Sequence, residues 1–149
     1  MKITIQNARE LHNALITITS GNKTVVTKDN GTAQVPYELD DKARWNLTKN
    51  LGLVERVVKQ ADAAREVIIR ELSGGTGNID RAGNPEKYDE AVRRIGQLEA
   101  TVESLPLVRV KMSGLRISAG NPIPGVIISA LRPILEDDVP AEAGEIIPD

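Results

Sequence analysis

The chain has 149 residues, a length at which one domain buries a core without disulfide or metal staples. It contains no cysteine, so disulfide bonds, thiolate metal sites and cysteine nucleophiles are excluded. No segment approaches the roughly 18 continuous apolar residues of a membrane span, and the N-terminus lacks the apolar stretch of a signal peptide. We therefore expect a soluble, cytosolic protein.

The net charge of −2 is unevenly distributed. The chain from residue 136 carries only acidic charges, at Glu136, Asp137, Asp138, Glu142, Glu145 and Asp149. Residues 1–135 therefore hold 19 basic and 15 acidic residues, a charge of +4. We predict one domain over 1–135 and an acidic tail over 136–149, which either solubilises the protein or screens an anion-binding face.

The predicted core is aliphatic, because the chain has no Phe, one Trp and two Tyr. Such side chains suit helix seams better than an aromatic-lined ligand pocket. The lack of aromatic rings also argues against platforms that stack single-stranded bases. A +4 body with no recognition-helix motif makes duplex DNA a poor ligand as well.

The first predicted element is a short helix that is capped by Thr4 or Asn7 and ends at Gly21. Residues 22–37 then predict a β-hairpin, because Asn30-Gly31 lies between β-branched runs and suits a type I′ turn. Pro36 makes the second strand an edge strand or ends it. The hairpin residues that form a candidate edge for strand addition by another subunit are Thr24, Val26 and Lys28.

The main predicted element is a helix from Asp40 or Asp41 to about Leu72, roughly 32 residues and about 48 Å long. Its apolar positions repeat at threes and fours, as in a heptad seam. They are Leu47, Leu51, Val54, Val58, Ala61, Ile68 and Leu72. Arg65 interrupts this seam, so it should meet either a glutamate of the next helix or a bound anion.

A Gly-rich connector over 73–84 precedes a third predicted helix, with Asn84 as its cap and Pro85 at its first position. The connector follows a helix and lacks the Lys-Ser or Lys-Thr of a phosphate-binding P-loop, which favours a helix C-cap and turn. The seam of the third helix runs from Tyr88 to Leu105, before Pro106. Two seams joined by a turn predict a long antiparallel helical hairpin.

Alternating residues over 107–112 predict a strand or extended strap, whose exposed side chains Leu107, Arg109 and Lys111 form a second candidate edge. An irregular link over 113–125 leads to a short helix over 126–131. The predicted fold class is thus mainly α with minor β: the helical hairpin, a short N-terminal helix, a small β-hairpin and a C-terminal strap with a short helix.

No catalytic, cofactor-binding or metal-binding residue is predicted. His12, the only histidine, lies on the first helix with no recognisable nucleophile or carboxylate partner. Acidic residues along the helices alternate with basic ones as in ordinary surface pairing, so a Mg²⁺-dependent nucleotide pyrophosphohydrolase is a weak hypothesis. The candidate anion-binding residues are Arg65, Arg93, Arg94 and Arg109.

The layout over roughly residues 40–136 resembles a family of small bacteriophage and prophage helical-hairpin proteins. The likeness rests on segments 44–51, 64–68, 83–88 and 104–107, on Leu115 and on 128–136. It departs at the 22–37 hairpin, the 120–125 insertion and the acidic tail. The resemblance implies a phage origin and a non-enzymatic role, and it supplies no site residues.

The leading hypothesis is a phage-encoded structural or protein-interaction module of the host cytoplasm or assembled virion. It would self-associate, or dock on another phage or host protein, without a cofactor. The alternative is an anti-defence protein that sequesters a host signalling nucleotide with its arginines.

Overall fold

The computed structural model of the protein describes residues 1–138, which are mainly α-helical with three small two-stranded sheets. The elements in chain order are β1 (Lys2–Thr4), α1 (Ile5–Ser20), β2 (Asn22–Val26), β3 (Thr32–Pro36), α2 (Asp41–Leu72), α3 (Pro85–Glu99), β4 (Val102–Ser104), β5 (Val110–Lys111), a 3-10 helix (Met112–Leu115), α4 (Gly125–Leu131), a 3-10 turn (Arg132–Ile134) and β6 (Leu135–Glu136). Strands β1 and β4 pair antiparallel, β2 and β3 pair antiparallel, and β5 and β6 pair parallel. The predicted class, mainly α with minor β, is confirmed.

The described chain separates into two compact units. Unit 1 comprises residues 1–10 and 53–106, and unit 2 comprises residues 11–52 together with the chain from Leu107. The single domain expected over 1–135 stays a prediction. The acidic tail expected over 136–149 lies outside the described residues from Val139 onward.

Side-chain caps fix the starts of the first two helices. The Thr4 hydroxyl accepts the Asn7 N–H at 3.1 Å where α1 begins. The Asp40 carboxylate accepts the Ala43 N–H at 2.7 Å where α2 begins. Each bond satisfies one of the backbone donors that the first turn of a helix leaves free. The structure confirms the predicted extents of both helices.

In unit 1, the small sheet β1–β4 replaces part of a predicted helix. The third helix was expected to reach Leu105, but α3 ends at Glu99. The next residues pair with β1, with Ile3 opposite Glu103, and the Met1 ammonium donates to the Leu105 carbonyl at 2.9 Å. The β-branched Thr101 and Val102 favour this extended conformation once β1 supplies the backbone partners.

The connector between α2 and α3 has the predicted character of a helix C-cap and turn. Gly74, Gly75 and Gly77 all have positive φ, a conformation that glycine adopts without steric cost. The Gly75 N–H donates to the Arg70 carbonyl at 2.9 Å and so satisfies one free acceptor at the end of α2. Pro85 occupies the first turn of α3, but the Asn84 side chain makes no cap hydrogen bond, contrary to expectation.

In unit 2, the hairpin β2–β3 forms where it was predicted, but β2 ends at Val26 rather than at Lys28, so the loop is longer. Thr32 pairs with Val26, and the Thr27 N–H donates to the Gly31 carbonyl at 2.9 Å. Asn30 has positive φ and Gly31 does not, so the predicted type I′ turn is wrong. The loop spans residues 27–31, and its own backbone hydrogen bonds replace those of a tight turn.

The aliphatic core of unit 2 is built from α1, the first part of α2 and the chain from β5 onward. Its fully buried large apolar side chains are Leu11, Leu15, Ile18, Leu47, Val110, Leu115, Leu131 and Ile134. The strap predicted over 107–112 is strand only at Val110–Lys111, which pairs with β6. Leu107 therefore lies outside any strand, and one edge of β5 is already occupied.

Candidate functional site

Arg65 does not occupy the apolar seam of α2. Ala61 and Ile68 are buried, Ala64 is half-buried and Arg65 is exposed, so the expectation that Arg65 interrupts the seam was wrong. At 100° per residue Arg65 lies roughly 40° around the helix from Ala61, which lets its long side chain reach water. Within the described residues it has no ion pair.

Arg93 and Arg94 on α3 are engaged by glutamates. Arg93 donates from Nε and Nη2 to both carboxylate oxygens of Glu90, at 3.1 and 2.5 Å. This bond lowers the pKa of Glu90 and raises that of Arg93. Arg94 Nη2 lies 3.2 Å from a carboxylate oxygen of Glu71 on α2. Both arginines are thus neutralised by neighbours within unit 1.

The remaining predicted site residues lie in unit 2. Arg109 is exposed and donates to the Leu135 carbonyl at 3.4 Å. Thr24 and Val26 point to solvent on β2, whereas Lys28 lies in the loop after that strand. Lys111 is exposed on β5, opposite Glu136 of β6, and Leu107 is half-buried.

Unit 1 contains an ion-pair cluster around Arg9, a residue for which sequence reasoning predicted no role. Its Nε donates to both oxygens of Glu99 at 2.8 and 2.9 Å, and its Nη1 donates to Asp62 at 2.6 Å. Burial lowers the pKa of Arg9, but the hydrogen bonds to Asp62 and Glu99 outweigh it and the net shift is upward. Arg9 thereby ties α1 to both α2 and α3.

The Arg9 cluster is not an anion site, because its two carboxylates exceed the single guanidinium charge. The Nη2 atom of Arg9 is buried without a hydrogen-bond partner among the described residues. The sequence held only a weak signal for it, a basic residue on a helix otherwise short of charge. Its partners are 53 and 90 residues away in the chain, beyond the reach of local pattern.

Unit 2 is organised around a buried asparagine. Asn121 is fully buried, and its amide nitrogen donates to the carbonyls of Glu38, Leu115 and Arg116. Its Oδ1 accepts the Glu38 N–H and the Lys23 ammonium, each at 2.9 Å. Lys23 is only 6% exposed and also donates to the Gly120 carbonyl. Through these bonds, Asn121 joins β2 to the 115–121 segment.

A second buried asparagine, Asn50 on α2, binds the extended segment after Pro106. Its side chain donates to the Val108 carbonyl and accepts the Val108 N–H, both at 2.7 Å. The two bonds imitate a strand neighbour for a segment without a strand partner. A polar residue inside the apolar stripe of α2 is a sequence signal that could have identified it.

Large apolar side chains are exposed in unit 2. Val26 is 77% exposed, Val126 74%, and Trp45, the only tryptophan, 65%. Trp45 follows Arg44, whose guanidinium donates to the Tyr37 carbonyl at 2.9 Å and the Thr19 carbonyl at 3.3 Å. The backbone that carries the exposed indole is therefore fixed. Tryptophan is enriched where proteins bind one another and concentrates the binding energy there.

The described residues offer little that is typical of an enclosed ligand site. Two open concavities lie in unit 1, one of about 330 Å³ beside the connector and one of about 240 Å³ beside Arg70. None of the four candidate arginines lines either of them. Residues 1–138 contain no group of His, Cys, Asp and Glu side chains arranged to hold a metal ion. Their helices include none that is long and apolar enough to cross a membrane.

No protein family model matches the chain, and no curated protein or solved structure is significantly similar to it.

Proposed function

We propose that this chain is a non-enzymatic, phage-encoded structural or protein-interaction module that self-associates or docks on a larger assembly. The observation that carries the proposal is the exposure of Trp45 on a fixed turn of α2, together with Val26 and Val126. Exposed apolar side chains of this size lose unfavourable contact with water when a partner covers them. The resemblance to phage helical-hairpin proteins supports the origin, in the host cytoplasm or the virion.

The proposal includes the helical hairpin formed by α2 and α3. Arg94 of α3 reaches Glu71 near the end of α2, whereas Glu99, later in α3, shares Arg9 with Asp62, earlier in α2. Later residues of one helix thus share contacts with earlier residues of the other. This order supports an antiparallel arrangement, which presents long side-by-side surfaces to partners.

The test combines solution mass with the fluorescence of Trp45. We expect light scattering to give a mass above one chain as concentration rises, and the Trp45 emission to move to shorter wavelength if its surface is covered. Trp45→Ala should weaken association with the chain or with a partner, whereas Lys49→Ala, one turn further along α2, should not. A monomer with unchanged emission, which captures no phage or host protein, would contradict the proposal.

The second candidate is a protein that sequesters a signalling nucleotide. The observation in its favour is Arg65, exposed and without an ion pair among the described residues. A thermal-shift screen of nucleotides and cyclic dinucleotides tests it, because a ligand that binds only the folded state raises the melting temperature. A rise that is lost in Arg65→Ala would replace the interaction module with this function.

A further inference from the structure

The hairpin β2–β3 carries an exposed face without charge. The outward side chains on β2 are Asn22, Thr24 and Val26, and those on β3 are Thr32, Gln34 and Pro36. The amide of Gln34 donates to the Thr24 hydroxyl at 2.7 Å across the pair. A two-stranded sheet is marginally stable in water, and further strands stabilise it.

The register shows which backbone groups of β3 are free. The bond from the Thr27 N–H to the Gly31 carbonyl continues the ladder one step beyond the pair Val26 and Thr32. Hydrogen-bonded and non-hydrogen-bonded pairs alternate in an antiparallel ladder, so residues 32, 34 and 36 direct their backbone groups away from β2. Pro36, which has no N–H, fits this assignment. Among residues 1–138, no strand pairs with this outer edge.

We infer that β3 is the surface through which this chain dimerises, by antiparallel pairing with β3 of a second copy about a two-fold axis at Gln34. The inference rests on the proposed self-association and names its surface. In this pairing the Gln34 N–H of each copy donates to the Gln34 carbonyl of the other. The Thr32 N–H of each copy donates to the Pro36 carbonyl of the other, but Pro36 has no N–H to return the bond, so the Thr32 carbonyl accepts none in this ladder.

The absence of charged residues favours β3 over the other strands as the one that pairs with a second copy. Of the six strands in residues 1–138, only β3 contains no charged residue. A two-fold axis between antiparallel strands places the residue on the axis opposite its own symmetry mate. Pairing of β4 about its centre would set Glu103 against Glu103, and like charges directly opposite each other destabilise a sheet. Pairing of β3 sets Gln34 against itself and Ala33 against Val35.

Lys23 argues against pairing through β2 and limits the assembly to two chains. Pairing of β2 about Thr24 would bring two buried Lys23 side chains to diagonal positions, roughly 7–8 Å apart. Neither ammonium has a carboxylate partner among the described residues, so their repulsion would be poorly compensated. Once β3 has paired, the sheet ends at β2 on both sides, and an inward-pointing charge prevents further strand addition. The expected product is a dimer.

Two variants of one hairpin face test the inference. Gln34→Lys places like charges at the two-fold axis and should raise the dimer dissociation constant at least about tenfold. Thr24→Lys puts the same charge on the same face and removes the same hydrogen bond, but it lies on β2 away from the axis. We expect a much smaller change from it. Light scattering and sedimentation give the constants, and circular dichroism checks that each variant is folded.

A mixture of two charge variants makes the test specific for the axis. Equal amounts of Gln34→Lys and Gln34→Glu should form a mixed dimer, detected by native mass spectrometry, because opposite charges then meet at one position. Undiminished dimerisation of Gln34→Lys, equal weakening by Thr24→Lys, or failure of the two variants to pair would overturn this inference alone. A wild-type chain that stays monomeric would instead overturn the self-association on which it rests.

Discussion

Unit 1 and unit 2 hold their elements together with different chemistry. In unit 1, charged groups bridge the helices: Arg9 binds Asp62 and Glu99, and Arg94 binds Glu71. In unit 2, the bridging bonds end on neutral groups: Asn50 and Asn121 bind backbone groups of distant segments, and the Lys23 ammonium donates to Asn121 and to the Gly120 carbonyl. Salt screens partly exposed ion pairs and leaves buried neutral hydrogen bonds almost unchanged. Added salt should therefore weaken the contacts of unit 1 more than those of unit 2. Because a buried polar group that loses its partner is costly, single substitutions should lower the stability of unit 2 more than that of unit 1.

The largest effect is expected in unit 2, from Asn121→Ala. The change removes the hydrogen-bond partner of the buried Leu115 carbonyl and of the partly buried Arg116 carbonyl, and it removes one of the two partners of Lys23. We expect the free energy of unfolding to fall by about 3–5 kcal/mol, measured by urea denaturation. Asn13→Ala, at an exposed position of α1, should change it by no more than about 0.5 kcal/mol. Similar losses from both variants would refute the central role of Asn121.

Gly114→Ala should come next, because unit 2 leaves no room for a methyl group there. A Cβ at this position would lie 2.8 Å from the Ala43 Cβ and 3.0 Å from a carboxylate oxygen of Asp40. Overpacking of this kind costs about 1–3 kcal/mol. Gly52→Ala is the matched control, since no atom lies within 4 Å of its Cβ position. This exposed helical site should gain about 0.5–1 kcal/mol, and a loss there as large as at Gly114 would argue against the packing explanation.

In unit 1, a double-mutant cycle of Arg9→Met and Glu99→Gln should give a coupling energy of about 1–2 kcal/mol. The pair is largely shielded, with side chains 24% and 19% exposed, so it should exceed an ordinary surface pair. The coupling should shrink as salt concentration rises. The corresponding cycle of Arg94→Met and Glu71→Gln should give no more than about 0.5 kcal/mol. A coupling at Arg9 that is indifferent to salt would remove the distinction between the units.

The smallest effect concerns one carboxylate of unit 2. The Ser113 hydroxyl and backbone N–H both donate to Asp138 and lower its pKa from the ordinary value of 3.8. A carboxyl group with a depressed folded-state pKa stabilises the fold above pH 3.8 and loses that contribution as the pH falls through its folded value. Thermal melts should show wild type losing slightly more stability on acidification than Asp138→Asn. Parallel curves would show that these bonds contribute nothing.

Local signals explain why much of the fold was predictable. The Thr4 and Asp40 caps, the Pro36 strand end and the glycines after Leu72 each act within a few residues. They therefore appear in the sequence as short patterns with direct physical meaning. Together with the repeat of apolar residues, these signals predicted the start and end of α2.

Pairings between distant segments escaped prediction. Strand β1 has three residues and β6 two, and each forms only because a segment far along the chain supplies backbone partners. The same limit applies to the candidate site. Periodicity placed Arg65 in the apolar seam of α2. It could not identify the cluster at Arg9 or the network at Asn121, because the partners of these residues lie many residues away in the chain. Exposure of Trp45 depends on what the fold leaves uncovered, which no window of sequence reveals.

The connector between α2 and α3 offers a practical handle on the protein. Its exposed glycines at 74, 75 and 77 turn the chain within a connector that contributes no buried side chain to the core. The entropy of closing a loop grows slowly with its length, so added residues there cost little stability. An epitope, a protease site or a fluorescent label inserted between Gly75 and Gly77 should leave both units intact. Such an insertion would allow the protein to be tracked in a cell that expresses it without altering Trp45 or β3.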